Sequence, residues 1–246
     1  MGYCDNNVTI GDSYATGDVT ATSSDYARAG GLVGGAGSSF TISDSYATGD
    51  VTATSSDHAY AGGLVGYGSS VTISDSYATG DVTATSSDNA YAYAGGLVGY
   101  GHYDVTIGDS YATGDVTITN GSRVYAGGLV GSAGGSVTIR NSYSSSLLSA
   151  EGKTVYAGGL TGYVSGSVSL ENAHWLKSAD TDAVYAIGYR NSLGVPTSIG
   201  STSHALIEEF YTLADTLNAG REVPVWEHTG ENTLPSLISG EGELVE

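Results

Sequence analysis

The string Gly-Gly-Leu-Val-Gly recurs at a nearly fixed interval, and no other feature of the chain restricts its fold as strongly. It begins at Gly30, Gly62, Gly95 and Gly127 and returns as Gly-Gly-Leu-Thr-Gly at Gly158, at spacings of 32, 33, 32 and 31 residues. A second string, Ser-Tyr-Ala-Thr-Gly-Asp-Val-Thr, begins at Ser13, Ser45, Ser76 and Ser110 and degrades from Ser142 onward. A third, of the Val-Thr-Ile type, begins at Val8, Phe40, Val71, Val105, Val137 and Val168. Three strings in constant order define a unit of 31 to 34 residues. Such units stack along one axis, each touching only its neighbours.

The interior of the unit decides between helix and strand. Val8-Thr9-Ile10 and Val19-Thr20-Ala21-Thr22 alternate with period two, are rich in β-branched residues, and are separated by glycine or Asp-Gly punctuation. No apolar stripe of helical period survives in the first 170 residues without a glycine interrupting it. The predicted fold is therefore all-β, a parallel β-solenoid of five to six three-faced coils. Alternation points Val8, Ile10, Ala15, Val19, Ala21 and Leu32 inward, with Phe40, Ile42, Ala47, Val51, Ala53 and Leu64 as their counterparts. The Leu slot holds Leu in all five copies whereas the next residue changes to Thr161, which predicts a buried Leu and a partly exposed Val.

Composition fits this frame. The 38 glycines supply corners, and a hydrophobic fraction of 40% with only 3 prolines argues against a disordered linker. With 26 Asp and Glu against 7 Lys and Arg, a net charge of -19 excludes a phosphate backbone as a natural partner. The single Cys4 excludes a disulfide framework and a cysteine-based zinc site. No apolar run reaches the length of a membrane span, which predicts no membrane insertion. Met1-Gly2-Tyr3-Cys4-Asp5 lacks the regions of a signal peptide, and repeat sequence begins at Val8 with no capping segment before it. Both points suggest a piece of a longer protein with neighbouring domains.

The acids divide the chain. All ten Glu lie at Glu151 or later, and thirteen of the sixteen Asp lie at or before Asp115. Beyond Leu170 the repeat fades, although Val184-Tyr185-Ala186-Ile187-Gly188 echoes Val155-Tyr156-Ala157-Gly158-Gly159. Leu206, Phe210, Leu213 and Leu217 then follow helical spacing, with Ser203 as N-cap and Gly220 past the end. The predicted organisation is a leader over 1–7, solenoid over 8–190, and a cap over 191–246 with a helix near 204–218. Trp226 and Leu234-Pro235-Ser236-Leu237 would complete a lid over the last coil's open edge.

The repeated Ser-Tyr-Ala-Thr-Gly-Asp-Val and Ala-Gly-Gly-Leu-Val-Gly strings resemble the GLUG-motif repeats. The tail is also similar to that family's usual ending, through Asn172-Ala173-His174-Trp175, Ile187-Gly188, Thr216-Leu217-Asn218-Ala219-Gly220, Trp226 and Leu234-Pro235. The resemblance implies a large secreted or cell-surface bacterial or archaeal protein, such as an adhesin or the non-catalytic part of an immunoglobulin A peptidase. It implies a stalk or adhesive module and no enzyme. Two departures stand out. The family often has Cys where Ser13, Ser45, Ser76, Ser110 and Ser142 stand, and the segment from Thr22 to Ala27 is longer than usual.

Four ladders could carry chemistry. Asp12, Asp44, Asp75 and Asp109 form one and Asp18, Asp50, Asp81 and Asp115 another; stacked like charges repel unless a cation bridges them. Structural Ca²⁺ suits such oxygen ligands, and corner aspartates accepting turn N–H groups need no metal. Tyrosines form two ladders, Tyr14, Tyr46, Tyr77, Tyr111 and Tyr143, then Tyr60, Tyr93, Tyr125, Tyr156 and Tyr185. Small or apolar inward neighbours turn these rings outward, where they suit sugar faces or simply stack on one another. The pairs Thr20/Thr22, Thr52/Thr54, Thr83/Thr85 and Thr117/Thr119 form a flat array similar to the face of solenoid ice-binding proteins.

No catalytic motif is present: the five histidines are scattered, and neither a His-Glu-x-x-His nor a Gly-x-Ser-x-Gly string occurs. Repeated carboxylates contrast with the single perturbed group that a polysaccharide-cleaving site needs. The expected function is a non-catalytic, secreted or surface-displayed adhesin or stalk, with no required cofactor. Its expected partner is a glycan or matrix component held on one repetitive Tyr/Thr/Asp face that includes Tyr60, Tyr93, Tyr125, Tyr156, Thr52, Thr54, Thr83 and Thr85. Ice binding through the threonine array and polysaccharide cleavage are the alternatives.

Overall fold

The computed structural model describes residues 2–4, 7–176, 185–190, 199–204, 213–219, 224–227 and 234–238. The three recurring strings resolve into five short strands per coil. In the second coil these are Phe40–Ser43, Tyr46–Ala47, Val51–Ser55, His58–Gly62 and Val65–Gly68. Each pairs in parallel, slot for slot, with the strand one repeat away: Ile42 with Ile73, Tyr46 with Tyr77, Val51 with Val82, Tyr60 with Tyr93 and Tyr67 with Tyr100. First and second strands share one sheet, and the third, fourth and fifth each form their own.

The corner between the first and second strands explains one aspartate ladder. Asp12, Asp44, Asp75 and Asp109 have φ of 49–50°, the left-handed region that Asp and Asn tolerate better than other side chains. Asn141 and Asn172 adopt the same conformation in later coils. An uncharged residue serves there equally, so this slot selects a backbone shape.

Alternation then fills two apolar columns. Ile42, Ile73, Ile107 and Ile139 stack in the wider one with Phe40, Ala47 and the leucines of the glycine corner. Burying one such side chain contributes about 1.5–3 kcal/mol. The narrower column lies between the third and fourth strands, where Val51 and Ala53 meet Ala59 and Ala61. Small side chains keep this limb thin.

The glycine corner corrects one expectation. The main-chain N–H groups of Leu64 and Val65 both donate to the Leu97 carbonyl, and those of Leu97 and Val98 both donate to Leu129. Two residues opposing one acceptor make a bulge, which turns successive side chains to the same side. Val33, Val65, Val98 and Val130 are therefore buried like their leucine neighbours, and Thr161 is buried in the same slot.

Pairing also extends past both expected boundaries. Tyr3–Cys4 pairs with Gly35–Ala36, within the supposed leader. Ile199–His204 pairs in parallel with the end of Val168–Leu176, so Ser203 lies in a strand and is no N-cap. The described helix is Leu213–Leu217, and the rest of the predicted 204–218 helix falls outside the described residues apart from His204 and Asn218. Leu213, Leu217 and Trp226 pack with Tyr77, Tyr111 and Tyr143. Within the predicted cap, Ile199–His204 thus covers part of the last coil's edge, while the helix and Trp226 cover the side of a tyrosine ladder.

Candidate functional site: an external tyrosine face

The second strand carries the first tyrosine ladder. Rings 14, 46, 77, 111 and 143 stack with centroids 5.3, 4.9, 4.8 and 5.1 Å apart and interplanar angles of 10° or less. Exposure falls along it, from 68% at Tyr14 to 0% at Tyr143. Trp226 lies against Tyr111 and Tyr143, and the Tyr143 hydroxyl donates to the Pro235 carbonyl at 2.7 Å. Desolvation pushes the Tyr111 and Tyr143 phenols well above their usual range. At that end this ladder is an anchor for the cap.

The fourth strand carries the second ladder. Tyr60, Tyr93, Tyr125 and Tyr156 stack at 4.9, 4.7 and 5.1 Å. Their rings point out of the coil, as alternation predicts, yet Tyr60, Tyr93 and Tyr125 are less than a tenth exposed. The reason is a second rank of tyrosines from the fifth strand. Tyr67 meets Tyr60 edge-on at 5.5 Å, Tyr100 lies 5.0 Å from Tyr93, and Tyr163 meets Tyr125 and Tyr156 edge-on at 5.6 and 5.8 Å. Tyr67, Tyr100 and Tyr163 are only partly buried and form the outer surface of the cluster. Burial raises the phenols of Tyr93 and Tyr100; it raises Tyr60 against the opposing pull of Arg28, and Tyr125 against that of Arg123.

Two residues earlier, on the same outward side of the fourth strand, Tyr26, His58, Tyr91 and Arg123 align in register. Arg28 stands in the slot that Tyr60 fills one coil later. Its guanidinium lies 4.9, 5.2 and 5.9 Å from the ring centres of Tyr67, Tyr26 and Tyr60, and that of Arg123 lies 5.5 Å from Tyr91. Such contacts are cation–π pairs. Arg28 and Tyr26 also line a surface cleft of about 310 Å³ together with Thr22, Ser23 and Gly34. At the end of the third coil, His102 and the 56%-exposed Tyr103 extend the aromatic surface beyond Tyr100.

The expected mixed Tyr/Thr/Asp face does not form. Thr52, Thr54, Thr83 and Thr85 align in register on the third strand, and the Thr85 and Thr119 hydroxyls lie 2.7 Å apart. Their inward neighbours Val51 and Ala53 pack against Ala59 and Ala61, so threonines and tyrosines occupy opposite outer sides of the thin limb. Asp18, Asp50, Asp81 and Asp115 precede the third strand, and each Oδ1 accepts a main-chain N–H from the next coil, those of Asp50, Asp81, Asp115 and Leu147. Among the described residues no three His, Cys, Asp or Glu side chains converge on one point. His58 Nδ1 lies 2.8 Å from Asp57, and His174 Nε2 lies 2.9 Å from Asn172 Oδ1. No helix among the described residues is long and apolar enough to cross a membrane.

Tyr67, Tyr91, Tyr100, Tyr163, Arg28 and Arg123 were not among the residues that the sequence singled out, and Tyr26 entered only as part of the long segment from Thr22 to Ala27. For Tyr67 and Tyr100 the signal is the tyrosine two places after the Leu-Val pair in Leu64-Val65-Gly66-Tyr67 and Leu97-Val98-Gly99-Tyr100.

Comparison with known proteins agrees with this architecture. The family model "The GLUG motif" matches residues 25–52 and 57–83. No curated protein matches the chain. Among solved structures, a candidate immunoglobulin A1 protease from Bacteroides ovatus is similar over 95% of this chain and 76% of its own, with a TM-score of 0.58 and 19% identity. That likeness is one of fold. The chain is a β-solenoid that carries the GLUG motif in two of its repeats.

Proposed function

We propose that this solenoid is a non-catalytic adhesive or spacer module of a secreted or cell-surface protein, and that its tyrosine face binds glycans. The observation that carries the reading is the double rank on the fourth and fifth strands. Tyr60, Tyr93, Tyr125 and Tyr156 form a packed base, and the partly buried Tyr67, Tyr100 and Tyr163 pack over it. Sugar rings present apolar C–H faces and hydroxyls together, and a rigid aromatic surface with polar tips complements both at small entropic cost. Repetition at about 4.8 Å per coil lets several weak contacts act along one extended chain.

The threonine array and the aspartate ladders take no part in this reading, because they lie elsewhere on the coil. A glycan array probed with the intact protein and with Tyr67→Ala and Tyr100→Ala tests it. Capture of a glycan by the intact protein, weakened severalfold in each variant, is expected. The absence of any captured glycan, or equal capture by all three proteins, contradicts it.

A further inference from the structure

The first coil lacks the roof that it gives to the second. Val8, Ile10, Ala15, Val19 and Ala21 are only partly buried, whereas Phe40, Ile42, Ala47, Val51 and Ala53, in the same slots one coil later, are at most 3% exposed. Strands one to four of the first coil are all sheet ends, and among the described residues only Tyr3–Cys4 lies ahead of them, against Gly35–Ala36 in the fifth-strand sheet. The hydrogen bonds of the second coil show what such an end holds. Its Tyr46, Thr48, Ser56 and His58 N–H groups donate back to the Ser13, Ala15, Ser23 and Asp25 carbonyls. Its Asp50 N–H donates back to Asp18 Oδ1 at 3.0 Å, and its Ser45 Oγ accepts the Ser13 N–H at 3.1 Å. The equivalent groups of the first coil are the N–H groups of Tyr14, Thr16, Asp18, Ser24 and Tyr26, all exposed residues, and Ser13 Oγ. They face the open end, where Gly2, Ala21, Thr22, Tyr26 and Ala27 also line the cleft of about 310 Å³.

We propose that this end is a docking surface for a segment of the same repeat carried by another polypeptide, laid down in parallel and in register. A row of unpaired main-chain groups recruits a strand, and most of these amides ask only for carbonyls. The Asp18 N–H and Ser13 Oγ ask for more: a carboxylate oxygen five residues after a serine N–H, on a strand of one direction. The string Ser-Tyr-Ala-Thr-Gly-Asp supplies that pair, and the Val-Thr-Ala-Thr run after it brings Val and Ala over Val19 and Ala21. A second copy of this chain does not fit. Its own first coil meets this end only about a two-fold axis, which sets the strands antiparallel and puts the string out of register. Towards its other end the aspartate ladder has already stopped, because the fifth coil holds Leu147 in that slot, donating its N–H to Asp115 Oδ1.

The test adds a synthetic peptide with the sequence of residues 45–62 to the intact protein and follows amide hydrogen exchange by NMR. Exchange at Tyr14, Thr16, Asp18, Ser24 and Tyr26 should slow at least about tenfold, while the amides of the third coil stay unchanged. Two altered peptides leave the fold of the protein untouched. Asp50→Ala lacks the carboxylate, and Val51→Pro lacks the N–H equivalent to the one that Val19 donates to the Asp50 carbonyl at 2.8 Å. Each should bind about fivefold more weakly, and a peptide of reversed sequence should protect none of the five amides. Equal protection by the reversed peptide would reduce the surface to an unselective apolar end and overturn the proposal. Protection that instead grows with protein concentration alone, with a doubled mass in solution, would make a second copy the occupant and overturn it too. Unchanged exchange at millimolar peptide would overturn it outright.

Discussion

Asp50 Oδ1 accepts the main-chain N–H of Asp81 at 2.8 Å, and Asp81 in turn accepts that of Asp115 at the same distance. A row of like-charged carboxylates is thus also a row of hydrogen-bond acceptors, each tying one coil to the next. Asp50→Ala should lower stability by about 1 kcal/mol, and Asp50→Asn, which keeps an oxygen acceptor, by less. Because these bonds need no metal, a chelator should leave the thermal midpoint of the intact protein unchanged. A fall of several degrees in the presence of chelator would reveal a bridging cation.

A second ladder runs through the buried serines. Ser45 N–H donates to Ser76 Oγ at 3.1 Å, and that hydroxyl donates to the Ser74 carbonyl at 2.6 Å. Ser76→Ala removes the acceptor and leaves a buried N–H without its bond, which should cost about 1–3 kcal/mol. Denaturant unfolding measures this directly; an unchanged midpoint would show that the ladder adds nothing.

Glycines in one repeat slot should respond in opposite ways. A Cβ added at Gly80 would collide with the Gly49 carbonyl of the preceding coil, whereas one added at Gly17 meets nothing within 4 Å. Gly17→Ala should be tolerated or slightly stabilising, since it narrows the unfolded ensemble by about 0.4–1 kcal/mol. Gly80→Ala should destabilise by about 1–3 kcal/mol or more, because main chain cannot step aside in a stacked coil. Parallel melting curves of the two variants check the sign of each change.

How much of this was legible in the sequence depends on which neighbour decides a residue's environment. Period-two alternation placed Ile42, Val51 and Ala53 correctly, since their burial follows from the strand they sit on. The burial of Val65 does not, because the bulge that turns it inward is made by the Leu97 carbonyl of the next coil. Tyr60 and Tyr93 face outward as alternation requires, and it takes Tyr67 and Tyr100, on a different strand, to cover them. The Ser203 N-cap failed for a related reason. Helical spacing from Leu206 suggested a helix start, while the solenoid's free edge at Trp175–Leu176 takes Ser203 and His204 into one more strand.

The covered tyrosines also set an alkaline limit. Burial raises the phenols of Tyr60, Tyr93, Tyr111, Tyr125 and Tyr143 above the ordinary value near 10. A group whose folded pKa is raised holds its proton more firmly in the native state, so its contribution is complete below pH 10 and is lost as pH climbs beyond it. Stability should therefore fall above pH about 10, with the tyrosine absorbance change coinciding with unfolding. Full ionisation of all nineteen tyrosines before any loss of β-structure would contradict the packing of these rings.

Hydroxyl-radical footprinting of the tyrosines, with the protein free and then saturated with the glycan it captures, tests the central claim most directly. The account predicts that Tyr26, Tyr67 and Tyr100 are oxidised in the free protein and protected in the complex, while Tyr14 on the other ladder is oxidised equally in both. Protection at Tyr14 and Tyr46 instead, or a footprint that the ligand leaves unchanged, would contradict it.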